Sequence, residues 1–551
     1  MNTENGNRPN KQNDADERHR LSHDLDCELV IGLVAAVGTE LETVTNCLAQ
    51  QFALGGYETQ TIKISDDIIN LFYEPKKWTT KYDRYDSLMT AGNEARKAAI
   101  EKEKAKHISE KDQRGNAILA YATASKIFLE RPVDGDGRPL PCGKKAFIIR
   151  SLKRPEEVEA LRLIYPHGFV LIGVHAEESR RRTHLTKTIG MTDKEAGDLM
   201  RRDANETTED YETPHPNGQL VNKTFHLADF FVHSTEDLER LWGDIQRMVE
   251  LWFGYPFHTP TFDEYAMYMA FSAALRSADL SRQVGAVVTK GNQVLATGAN
   301  DCPKAGGGLY WPDRKDGESC VSDTPEGRDY KRTRKGKVGY DSNKIEQLEI
   351  LNDIQRIVEK CVADEHKIHF DFKTMIKLIG KGRIRDLTEF GRVVHAEMEA
   401  LLSCGRMGHS TVGTTLYCTT FPCHNCAKHL IAAGVDRVVY IEPYPKSKAL
   451  EFHSESIVWG IEKAKDDSRV LFQPFVGIGP RRYFDLFSMN LGSSYDLVRK
   501  DSETGERREW SFADTRLRVQ MKPSSYLELE AKASDYFKTV LKSKEANDES
   551  R

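Results

Sequence analysis

The chain has 551 residues, with 79 Lys+Arg against 84 Asp+Glu for a formal net charge of −5, and ten cysteines. That length exceeds what one hydrophobic core serves, so two or three domains are expected, and the near balance of charge excludes a global basic field that would gather nucleic acid. The cysteines are dispersed, the longest apolar run (29–37) is far below a membrane span, and the N-terminus lacks an apolar secretory segment, so the sequence reads as a cytoplasmic protein with no membrane association.

Residues 1–26 are rich in Asn, Asp, Arg and Gly and nearly devoid of large apolar side chains; such a tail cannot offset the entropy of ordering and is expected to be disordered. From Cys27 the run CELVIGLVAAVG predicts a buried parallel strand, and ELETVTNCLAQQFALGG an amphipathic helix. Further buried strands are expected at TQTIKI, KAFIIRSL and GFVLIGVHA, separated by helices at about 89–108, 114–130 and 154–164, and a last apolar run, ADFFVHS, precedes a helix near 235–252. Alternation of this kind predicts a doubly wound α/β domain over 27–255.

A linker at 257–261 leads into a second domain, assigned to 256–480. Its expected order is a helix over 262–279, strands QVGAVVTK and QVLATGAN joined by a Gly-Asn turn, and a long polar stretch from 301 to about 342 that carries the basic run Lys331 to Lys337. Helical pattern resumes at 343–364, followed by the helix HAEMEALLSCG, the strand TTLYCTT, the helix CHNCAKHLIAAG and the strand RVVYIE. Residues 481–551 read as a polar extension with a helix-like stretch near 525–543.

The chemistry concentrates in His395-Ala396-Glu397 and Pro422-Cys423-His424-Asn425-Cys426. One imidazole (His395) and two thiolates (Cys423, Cys426) supply three corners of a zinc tetrahedron, and the missing fourth distinguishes a catalytic zinc from a structural one. A structural zinc knuckle would usually bring a fourth Cys or His; His424 and His429 are nearby but read more simply as residues of the helix that begins there. Glu397, two residues from the histidine, is left free to move protons. This is the H-x-E…P-C-x-x-C signature of zinc-dependent nucleobase deaminases, in which activated water attacks C4 of cytosine or C6 of adenine while the glutamate serves as acid and base. Pro422 sets the turn that lets Cys423 open the helix, whose N-terminal dipole favours the thiolate form.

In order and content, SADLSRQVGAVVTKGNQVLATGANDCPK, HAEMEALL and TTFPCHNCAKHLIAAGVDRVVYIE resemble the deoxycytidylate deaminases over about 262–455. The resemblance implies a cytidine-deaminase-like α/β/α fold, zinc held by His395, Cys423 and Cys426, Glu397 as proton shuttle, and Asn300, in the G-x-N pattern, as the residue that holds the nucleotide. On local sequence alone Asn300 also fits a turn before Asp301 and Pro303. The chain departs from the family at Glu399, where Asn is frequent, and in its long interval from Asn300 to His395.

In the first domain, GLVAAVGTEL sits where a phosphate-binding loop would sit, after a strand and before a helix. Counted back from Gly38, however, Leu33 takes the first glycine position of G-x-x-x-x-G-K-[ST], and Thr39 and Glu40 take those of the Lys and Ser/Thr. With Arg180, Arg181 and Arg182 placed like lid arginines, the segment is similar to P-loop nucleotide kinases but lacks the lysine that phosphoryl transfer needs. The two-domain build resembles bacterial antiphage dCTP/dCMP deaminases. That resemblance implies depletion of free deoxycytidine nucleotides (dCTP and dCMP to dUTP and dUMP), a homo-oligomer, and a use for Lys331 to Lys337 in binding an inhibitory small noncoding RNA, against the alternative of a solvated loop. The rival activities are polynucleotide editing of cytidine or adenosine and a housekeeping dCMP deaminase that supplies dUMP.

Overall fold

The computed structural model describes the chain outside residues 1–26, 74–77, 110–112, 208–214, 236, 313–326, 335–336, 362–370, 383, 385–386, 388, 445–446, 463, 465, 492–494, 513–516, 521–522 and 549–551. The expected N-terminal tail and positions 335–336 of the basic run lie outside the described residues. The chain divides into two compact units, one of Met1–Ala196, Leu227–Thr259 and Arg481–Arg551, the other of Gly197–His226 and Pro260–Pro480. Both are mixed α/β with parallel-rich sheets.

The first unit is built on β1 (Leu29–Ala35), β2 (Glu58–Lys63), β3 (Lys145–Arg150), β4 (Phe169–His175) and β5 (Phe230–His233), in the spatial order β5-β4-β1-β3-β2. All four neighbouring pairs are parallel, with Ile31 opposite Ile148 on one side and Val170 on the other. Every residue of β1 is buried, which is why it reads as an unbroken apolar run with no alternation. The chain leaves β1 in one direction to reach β2 and then returns through β3 to β4 and β5. Right-handed crossovers therefore put Leu41–Leu54 on one face and Ile118–Leu129 and Pro155–Ile164 on the other. The helix expected over 89–108 begins earlier, at Lys81, because Thr80 and Asp83 form a reciprocal capping box that apolar spacing does not register.

The last helix, Pro523–Asp548, packs on Ile118–Leu129 within this unit. Arg131 lies between the carboxylates of Glu28 and Glu530, both at 2.6 Å and all three side chains fully buried. Tyr165 and Tyr526 flank the group, their ring centroids 6.2 Å apart.

In the second unit β6 (Gly285–Lys290) and β7 (Gln293–Ala299) form a hairpin through Gly291 and Asn292, both at positive φ, as a tight primed turn requires. A two-residue ribbon follows, β8 (Thr333–Arg334) and β9 (Lys337–Val338). The sheet continues through β10 (Thr414–Thr420), β11 (Val435–Glu442), β12 (Ile457–Trp459) and β13 (Val470–Pro474), in the order β12-β13-β11-β10-β6-β7. β6 pairs antiparallel with β7 and β10, and the remaining pairs are parallel.

Two glycines set the depth of the helices on this sheet. A Cβ at Gly285 would lie 1.9 Å from the Ala270 carbonyl oxygen, and one at Gly298 would lie 2.1 Å from that of Ala396. Gly298 pairs with Ala286, the neighbour of Gly285, so the two glycines face opposite sides. Helix Phe262–Ala274 thus covers one face and helix Ala396–Arg406 the other. The helix expected to run to 279 stops at Ala274; beyond it Ser277 Oγ donates to the Asn300 carbonyl at 2.6 Å, drawing 275–284 into a loop.

Candidate active site

His395 is the N-cap of helix Ala396–Arg406, and Cys423 is the N-cap of helix His424–Ala432. Val394 bridges Asp301 just beyond β7, and the ends of β7 and β10 both lie beside the start of β6, so both caps lie at the same end of the sheet. The Cys426 backbone N–H donates to Cys423 Sγ at 3.4 Å, and His395 Nδ1 lies 3.4 Å from Cys423 Sγ and 3.3 Å from Cys426 Sγ. The ligand atoms of these three residues all fall within 4.8 Å of one another, and they are the only such group among the described residues. Zinc bonds of about 2.3 Å to sulfur and 2.0–2.1 Å to nitrogen imply tetrahedral S···N edges of about 3.6 Å. The donor set and its spacing therefore fit a zinc ion with one position left open.

Considered as protein groups alone, the hydrogen bond from Cys426 and the pairing with His395 hold the Cys423 thiol down to about 4. Its hydrogen bond to Cys423 raises His395 to about 9, while the Cys426 thiol is pushed up by the same neighbour and by burial. Glu397, on the first turn of its helix, is 5% exposed, and burial raises its carboxyl above the usual range. A carboxyl so desolvated takes up a proton more readily, as a proton shuttle requires.

Asn300 lies at the end of β7, buried. Its Oδ1 accepts from Val284 N at 2.7 Å and its Nδ2 donates to the Arg282 carbonyl at 2.8 Å. The turn reading of Asn300 thus gives way to a cross-loop tie that holds 282–284 beside the metal cluster's sheet end. Glu399, the departure noted above, is buried and accepts from Arg406 and from Ser403 Oγ. Residues not singled out from the sequence also converge here. Arg282 stacks on Tyr444 with its guanidinium 5.5 Å from the ring centroid, and Asp301 is an almost fully buried acid paired with Arg328 at 3.0 Å.

Gly38, Thr39, Arg180 and Arg181 lie in the first unit, where the structure brings them together. Gly38 adopts φ +87, and a Cβ there would meet the Arg181 carbonyl oxygen at 2.8 Å. Arg181 donates to the carbonyls of Val37 and Ala176, each at 3.2 Å. Arg180 pairs with Glu40 at 2.6 Å, and His184 Nδ1 lies 3.3 Å from the same carboxylate. The anion facing Arg180 is thus the chain's own Glu40, whose carboxyl the Arg180 guanidinium, with His184, holds below the usual carboxylate range.

Residues 260–442 match the family described as the cytidine and deoxycytidylate deaminase zinc-binding region. The second unit carries this region, and zinc is its metal. The deoxycytidylate deaminase of Enterobacteria phage T4 is 26% identical over 183 residues, covering 33% of this chain and 78% of that protein. That of Mycobacterium phage D29 is 29% identical over 181 residues, 33% of this chain and 94% of that protein. Among solved structures, the dCMP deaminase of cyanophage S-TIM5 with dCMP and dUMP aligns at 18% identity and a TM-score of 0.21, covering 40% of this chain and all of that one. No helix among the described residues is long and apolar enough to cross a membrane.

Proposed function

We propose that this chain is a zinc-dependent deaminase of free deoxycytidine nucleotides, converting dCMP and dCTP to dUMP and dUTP with release of ammonia. The observation that carries the reading is the convergence of His395, Cys423 and Cys426 with the buried carboxyl of Glu397, inside the region matched by the family. His395, Cys423 and Cys426 would hold the metal. Zinc, when bound, supplies activation of water at neutral pH. Glu397 accepts the proton released as water adds to C4 and delivers it to N3 of the ring; it then takes the proton of the C4 hydroxyl and passes it to the amine, so that the C4–N bond breaks, ammonia leaves and the oxygen remains on C4 as a carbonyl. One of the two Asn300 amide hydrogens is committed to Arg282, and the other is the donor assigned to the nucleotide.

The relatives named above are deoxycytidylate deaminases, which supports dCMP as a substrate. Action on dCTP, and with it depletion of the nucleotide pool during phage infection, is the finer part of the proposal and rests on the resemblance of the whole two-domain chain. The first unit regulates or assembles the enzyme and does not transfer phosphate, a reading supported by the pairing of Glu40 with Arg180 at a loop that has Thr39 in place of lysine. The test incubates RNA-free protein with dCMP, dCTP, CTP and cytosine-bearing oligonucleotides in separate reactions, with ammonia release and base conversion as readouts. Turnover of both free deoxynucleotides is expected. Turnover of dCMP alone would return the housekeeping reading, and conversion confined to oligonucleotides would return the editing one.

A further inference from the structure

The long interval between Asn300 and His395 contains a turn, Gly327 to Tyr330, that is bonded to both site segments at once. Asp301, directly after Asn300, is 1% exposed; its carboxylate accepts from Cys302 N at 2.8 Å and pairs with Arg328 at 3.0 Å. The next residue of the turn, Asp329, pairs with Arg392 at 2.6 Å, three positions before His395. Arg392 also reaches the Gly327 carbonyl at 3.4 Å. The two clamped segments meet directly, since Val394 N donates to the Asp301 carbonyl at 3.0 Å.

The turn itself is wedged from behind. Arg328 and Arg276 both donate to the Tyr310 carbonyl at 2.9 Å, Arg276 lies 3.7 Å from the Trp311 ring centroid, and a Cβ at Gly327 would enter the Tyr310 ring at 1.9 Å. A turn bearing Arg then Asp, set against a site bearing Asp301 and Arg392, has complementary charges in one register only. Slipping it by one residue would set like charges face to face in a poorly solvated place, which is costly.

We infer that Arg328 and Asp329 are positioning residues: through Asp301 and Arg392 they hold Asn300 and His395 at a fixed separation, and so set affinity for the nucleotide. This rests on the deaminase reading above. The inference differs from simple support of the fold in what it predicts for binding. The clamp ties two loops next to the site, while the sheet and its two helices are held by other contacts. Breaking it should therefore loosen the nucleotide site without unfolding the unit.

The test uses the full chain with Arg328→Gln, Arg328→Lys, Asp329→Asn, Arg392→Gln and the Asp329→Asn/Arg392→Gln pair. Zinc content, thermal melting, kcat and KM for dCMP are measured, together with equilibrium dCMP binding in a Glu397→Ala background, where no turnover intervenes. Zinc near one per chain should persist. KM and Kd for dCMP should rise tenfold or more in Arg328→Gln with a smaller change in kcat, Arg328→Lys should recover part of the loss, and the double variant should lose no more than its worse single parent. Folded, zinc-loaded variants that bind dCMP within twofold of their parent would overturn the clamp, as would loss of zinc and fold in every variant including Arg328→Lys. A parent chain that neither binds nor converts any deoxycytidine nucleotide would instead overturn the deaminase reading, and this inference with it.

Discussion

On the proposed reading, Glu397 and the three residues assigned to the metal have separable duties, so their variants should fail differently. Glu397→Ala is expected to keep zinc and lose deamination by at least the 10²–10⁴-fold typical of a general acid–base group; activity above about a tenth of the parent would show the role misassigned. Cys423→Ser with Cys426→Ser should bring zinc toward zero by metal analysis, and stoichiometric zinc in that variant would place the metal elsewhere. A third expectation concerns pH. Burial, then the neighbouring His233 and Arg181, hold His175 down to about 3 from an ordinary 6.5. Between those values the unfolded chain binds a proton that the folded chain refuses. Stability from this group is therefore complete above pH 6.5 and is lost as pH falls toward 3, with a limiting slope of about 1.4 kcal/mol per pH unit. Urea melts of the first unit's transition between pH 6 and 4 should approach that slope, and His175→Gln should flatten it; an unchanged slope would remove His175 as the cause. At this scale the metal trio was legible because two of its members sit three residues apart on one helix start and the third follows the same rule. Asp301, Arg328 and Arg392 were not, because residues joined across intervals of 27 and 63 positions leave no periodic trace.

Helix Ala396–Arg406 carries His395 and Glu397, and its seat on β7 depends on the bare backbone of Gly298. Adding a methyl there puts carbon 2.1 Å from the Ala396 carbonyl oxygen and 2.5 Å from Ala400 N, a backbone clash that no rotamer relieves. Gly298→Ala should cost about 1–3 kcal/mol as overpacking does, and should lower zinc occupancy and kcat together because the helix start moves. Normal melting with normal zinc would mean the helix can shift without cost. Elements with strong apolar texture were readable in the sequence, β1 and β10 above all, and the Gly-Asn hairpin announced itself by its turn chemistry. Strand β12 was not, since three residues are too few to show alternation. Helix Phe372–Lys381 was likewise unmarked, its ten residues following a polar stretch. The start of the helix expected at 89 drifted because the polar cap at Thr80 lies well before its first strongly apolar positions.

At the scale of the whole molecule, the first unit is assembled from chain segments on both sides of the second. Length and texture suggested two or three domains with a separate C-terminal extension; the packing of the last helix within the first unit could not be read, because it rests in part on a buried charge and charge is normally read as surface. Arg131→Met would strand the carboxylates of Glu28 and Glu530 without their cation, and breaking such a group by removing one partner costs about 3–5 kcal/mol. The variant should show a correspondingly lower melting transition for the first unit with zinc retained in the second; an unchanged melt would show the triad to be neutral. The same contact also imposes an order of events. Arg131 and Glu530 are 399 residues apart, and at a synthesis rate of about 5–20 residues per second the ribosome takes about 20–80 s to pass from one to the other. During that interval the entire metal-binding segment emerges and can take up its ion, while the unit begun first waits, incomplete, for the helix that closes it.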